Sequence, residues 1–111
     1  MLADRVRAGE PEAIEAAVAF VCRESRGHWH GRARAKLCRR FKHVALTVTQ
    51  RDRVVTAVLE RLLTGNFSEQ FRDQLRTAFV FAPERARAAA RAAAADPREY
   101  VRRLAAWVLS R

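Results

Sequence analysis

Arg32, Lys36, Arg39, Arg40 and His43 recur three and four residues apart. At about 100° per residue of helix they fall within one arc of roughly 100°. Ala33, Leu37, Phe41 and Val44 occupy the adjoining arc, and no acid occurs between Ser25 and Arg51. A solvated helix face usually alternates its charges in sign along i,i+4 pairs. A one-signed row beside an apolar stripe instead suits a helix that packs by one face and offers cations to phosphates, a contact made without reading sequence. Just ahead of the row, Trp29 stands between His28 and His30. An aromatic in that setting can stack on a base or ribose, or serve as a hydrophobic staple at a helix start.

Other chemistries find less support. A metal site would have to gather His28, His30, His43, Cys22 and Cys38, which show no zinc-type spacing, and both cysteines fall on apolar stripes. There is no Gly-rich phosphate loop, no GxSxG and no HExxH, and only four glycines to build tight catalytic turns. The expectation is a non-enzymatic protein with no cofactor and no metal. Trp107 and Tyr100, seven residues apart on one side of the last helical segment, read as packing residues.

The charge that feeds the basic row is local. Twenty-two bases against 12 acids leave +10 over 111 residues, and a neutral partner is hard to reconcile with that field. Residues 1–24, 25–53, 54–82 and 83–111 carry −2, +8, 0 and +4 respectively, so the excess concentrates in the second block. Twenty of the bases are arginine, whose planar fork fits phosphate and carboxylate. A GC-rich genome would enrich arginine and alanine together, so the weight lies on the clustering and not on the residue type. The longest apolar run, Ala16 to Cys22, has seven residues, too short to span a membrane. Asp4, Arg5, Arg7, Glu10 and Glu12 interrupt the place of a secretory h-region, and two cysteines do not make a disulfide scaffold. A cytoplasmic protein without a membrane partner is expected.

The elements that would position these residues are helical throughout, in a single domain over residues 1–111. Leu2 and Val6 suggest a short lead-in helix closed by Gly9, and Pro11 opens a helix carrying Ile14, Val18, Val21 and Cys22. Ser25-Arg26-Gly27 breaks the pattern before the basic helix, which starts between His28 and Arg32. Thr47 and Thr49 are candidate N-caps for the strongest apolar stripe, Val54 to Leu63, which stops at Gly65. Asn66 and Glu69 have the spacing of a capping box for a helix with Phe67, Phe71, Leu75 and Ala78. Pro83 opens an alanine-rich helix, and Asp96-Pro97-Arg98-Glu99 launches the last one with Asp96 as N-cap. Val44 to Thr49 is the one β-prone stretch, too little for a sheet.

Three helical hairpins follow, at about 11–43, 49–81 and 83–110. Setting Gly31, Phe71 and Val101 as equivalent aligns Arg32, Arg72 and Arg102, then Ala35, Leu75 and Ala105, then Cys38, Ala78 and Val108. Asp96-Pro97-Arg98-Glu99-Tyr100-Val101-Arg102-Arg103-Leu104-Ala105 resembles the second helix of HEAT-like repeats, which often follows Asp-Pro and carries Val-Arg before small apolar residues. The likeness is best over residues 83–110 and weaker over 49–81 and 11–43, where Gly27 to Gly31 departs from it. It implies stacked hairpins in a right-handed array; an irregular helical bundle would show the same periodicities. It also implies a likeness to the alkylpurine DNA glycosylases, longer chains built from such repeats around a basic concave face, although no motif here receives their catalytic residues.

The fold expected is therefore all-α, three stacked hairpins. Its function is expected to be that of a module contacting a polyanion, DNA or RNA backbone, through Arg32, Lys36, Arg39, Arg40, His43 and Trp29. Arg72 and Arg102 would extend the patch if the hairpins stack. Two alternatives stay open: docking of an acidic partner protein, and a self-associating regulatory subunit.

Overall fold

The computed structural model describes residues 2–23, 28–67 and 70–111, with the side chains of residues 3 and 28–30 outside the description. Seven helices run in order: α1 (Leu2–Arg7), α2 (Pro11–Cys22), α3 (His28–Phe41), α4 (Val48–Thr64), α5 (Phe71–Phe81), α6 (Pro83–Ala93) and α7 (Glu99–Leu109). No strand occurs among the described residues, and Val44 to Thr47 passes from a turn into the start of α4. The protein is all-α.

Local signals set most of the boundaries. Pro11 and Pro83 occupy the first turns of α2 and α6, where the missing N–H costs nothing. Thr47 caps α4: its hydroxyl accepts from the Gln50 N–H at 3.1 Å while Gln50 Oε1 accepts from the Thr47 N–H at 2.9 Å. Gly65 ends that helix at φ 71°, and a Cβ there would run into the Arg98 guanidinium and the Tyr100 hydroxyl.

Two expected starts are corrected. α5 begins at Phe71, behind Gln70 in the left-handed region at φ 62°, and not at Phe67 with Asn66 as its cap; Glu69 lies outside the described residues. Phe67 is not helical. It stacks on Phe71 with ring centroids 4.2 Å apart and meets Tyr100 edge-on at 5.4 Å, contacts that pull the chain off the helix axis. α7 begins at Glu99, and Asp96 makes no cap bond to it. The Asp96 carboxylate instead accepts from the Arg98 N–H at 2.8 Å and from the Arg98 guanidinium at 2.8 and 2.9 Å. Arg98 in turn donates to the Thr64 and Leu63 carbonyl oxygens, capping the C-terminal end of α4.

α2 packs on α4 and α4 on α6, while α3 packs on α5 and α5 on α7; the two rows face each other through one core, and α1 closes the end over α2 and α3. Burial follows the internal alignment. Ala35, Leu75 and Ala105 are buried, as are Cys38, Ala78 and Val108, whereas Arg32, Arg72 and Arg102 are exposed. Ala86, Ala90 and Ala93 form the buried stripe of α6, whose small side chains let α4, α5 and α7 pack around it.

Candidate nucleic-acid interface

The two rows differ in charge. α3, α5 and α7 carry nine bases and two acids, a balance of +7; α2, α4 and α6 carry six bases and five acids, a balance of +1. Most of the formal charge of the chain is thus borne by one layer, whose members are neighbours in space.

Within α3, Leu37, Cys38 and Phe41 are buried, and Arg32 and Arg39 are exposed, with His43 exposed just beyond the helix end. Lys36 and Arg40 are half-buried, and Arg40 Nε is out of solvent with no hydrogen-bond partner. The basic row is therefore less uniformly open than an even arc would be. The side chains of His28, Trp29 and His30 lie outside the described residues.

Arg39 Nη1 reaches Asp73 Oδ2 on α5 at 2.8 Å, and Arg76 Nη1 takes the other oxygen at 3.2 Å. One turn away, Arg72 and Arg76 lie over the Trp107 ring of α7, with guanidinium carbons 5.2 and 5.6 Å from its centroid, and Arg111 stacks closer at 4.3 Å. A chain of cations thus crosses the layer from α3 through α5 to α7. Arg72 is part of it, over the Trp107 ring. Arg102 is exposed but turns away, its Nη1 donating to the Asp96 carbonyl oxygen at 2.7 Å, while Trp107 of α7 meets Arg72 of α5.

Sequence reasoning passed over Asp73, Arg76 and Arg111, and it read Trp107 as a packing residue only. Their spacing held a hint, since Arg72/Arg76 and Trp107/Arg111 are both i,i+4 pairs, but only the packing of α7 beside α5 brings the two pairs together.

Two further arginines have left the surface. Arg34 and Arg61, 6% and 8% exposed, converge from α3 and α4 on the C-terminal end of α2. Arg34 donates to the Arg23 carbonyl oxygen; Arg61 donates to those of Val21 and Arg23 and to Gln74 Oε1 at 3.2 Å. A helix C-terminus carries unpaired carbonyls and partial negative charge, so a buried guanidinium there is matched in both geometry and sign. These bases hold the fold.

Among the described residues no group of three or more His, Cys, Asp or Glu is placed to hold a metal ion, and no helix is long and apolar enough to cross a membrane. Comparison of the chain with protein-family models, with curated proteins and with solved structures found no match.

Proposed function

We propose that this protein is a non-enzymatic helical module of HEAT-like build that binds the phosphate backbone of DNA or RNA through the α3–α5–α7 layer. The observation that carries the reading is the charge imbalance between the layers, +7 against +1. Phosphate neutralisation by a predominantly cationic helical face is the sequence-independent mode of nucleic-acid binding. The side-by-side second helices, and the shared burial of Ala35, Leu75 and Ala105, support the repeat-like build. Two free cysteines, one buried, suit a reducing cytoplasm.

The test is binding of labelled duplex DNA, single-stranded RNA and an acidic peptide across a salt series. Four phosphate contacts, by Arg32, Lys36, Arg39 and Arg40, give a duplex slope of log affinity against log salt of about −3.6. Replacing all four by Gln flattens it. Unchanged slope and affinity in that variant would remove α3 as the surface. Tight binding of the peptide, with no nucleic-acid binding at low salt, would replace this reading by docking of an acidic protein.

A further inference from the structure

Three guanidinium groups surround one indole. Arg72, Arg76 and Arg111 have their guanidinium carbons 5.2, 5.6 and 4.3 Å from the Trp107 centroid. Attraction to the ring offsets part of the mutual repulsion of these cations. Among the described side chains, Asp73 is the one carboxylate ion-paired to the group, and it is shared between Arg76 and Arg39. Among the described residues neither Arg72 nor Arg111 forms an ion pair. Among the described side chains the cluster holds three guanidinium groups against one shared carboxylate, and an anion bridging Arg72 and Arg111 would add negative charge to it.

We propose that the Trp107 cluster seats a phosphodiester group of a nucleic-acid strand, at the α7 end of the layer whose α3 end carries the basic row. The inference rests on the nucleic-acid reading above and adds a second contact to it. A guanidinium held over an indole face gives up none of its N–H donors to the ring, which leaves its fork for bidentate phosphate recognition. The indole positions the arginines and is not a stacking platform for a base, because Arg111 already lies against the ring. A strand suits the site better than a lone phosphate. Asp73 links the cluster to Arg39, so the cations continue from α7 to α3. Helix spacings of about 8–10 Å put the two ends roughly 16–20 Å apart, about five or six phosphates along one strand of a duplex.

The chain has two tryptophans, so Trp29→Phe leaves Trp107 as the only indole reporter. This variant is titrated with a twelve-residue oligothymidylate and, separately, with inorganic phosphate at equal phosphate concentration. The oligonucleotide is expected to change Trp107 emission at low salt and to lose the effect at high salt, while inorganic phosphate leaves it unchanged. Arg72→Gln/Arg111→Gln in the otherwise native chain is expected to reduce the single-strand salt slope by about 1.4, and Arg72→Lys/Arg111→Lys to restore the slope at lower affinity. Circular dichroism of each variant checks that the fold is kept. If the Gln pair binds with the parent slope while the α3 quadruple variant does not bind, the seat is refuted and the α3 reading stands. Emission that ignores a bound strand refutes the seat as well. An equal response to inorganic phosphate overturns the assignment to a strand, and absence of any nucleic-acid binding by the parent overturns both proposals.

Discussion

Asp73 on α5 is bonded to Arg39 on α3, 34 positions earlier, at 2.8 Å, and it holds Arg76 through its second oxygen at 3.2 Å. It is the single acid of α5, set in the middle of the cationic layer. On the binding model it competes with phosphate for Arg39 and Arg76. Asp73→Asn should therefore raise affinity for DNA or RNA at low salt and steepen the salt slope. The bridge is partly exposed, and such pairs contribute about 0–1 kcal/mol, so the thermal midpoint should move little. A fall in affinity in a salt titration of the variant would count against the layer as the binding face.

Phe41 lies on the packing stripe of α3 beside the basic row and is 1% exposed. Phe41→Ala should cost about 3–5 kcal/mol through the cavity it leaves. The quadruple Gln variant should cost far less, most of it at Arg40, whose half-buried stem packs against the protein. Urea denaturation of the two variants separates these costs: a large loss in the quadruple variant would mean that the row holds the fold.

Arg61→Met keeps the length of the side chain but leaves the Val21 and Arg23 carbonyls and Gln74 without its guanidinium. Hydrogen bonds from a charged group contribute about 1.5–3 kcal/mol, and a loss of about 3 kcal/mol is expected in chemical denaturation. Nucleic-acid binding below the unfolding transition should be unchanged, because this arginine is not on the outer face.

The two cysteines should differ. Burial pushes the Cys38 thiol up to about 12, from an ordinary value of 9.0, and raises the half-buried Cys22 thiol as well. Native labelling by a thiolate-specific reagent should reach Cys22 before Cys38, which reacts only on unfolding. Because the folded state keeps the Cys38 proton and the unfolded state releases it near pH 9, this contribution to stability is intact below about pH 9 and declines as pH rises toward 12. Between pH 9 and 10.5, Cys38→Ala should lose less stability than the parent in denaturant titrations.

What the sequence determined by itself was whatever depends on neighbours within a turn or two. Pro83 opening α6, Gly65 closing α4, Thr47 as one of two candidate caps and the stripes of α2 and α4 all depend on residues within a turn, and each stands where its residues put it. The cationic arc of α3 was legible for the same reason, since one helix period places Arg32, Arg39 and His43 together on its open side. The start of α5 was not legible. Asn66 has the local form of a cap, but Phe67 stands outside the helix, stacked on Phe71 and edge-on to Tyr100, a residue on another helix. The fates of the arginines also depended on the tertiary structure. Arg61 is buried within an apolar stripe because the end of α2, some 40 positions earlier, offers it carbonyl oxygens. Arg72 belongs with Trp107 because α7 packs beside α5. Helical periodicity gives each side chain its bearing around its own axis, but which charge meets which partner is set by how the helices pack against one another, and that register is written in no local window.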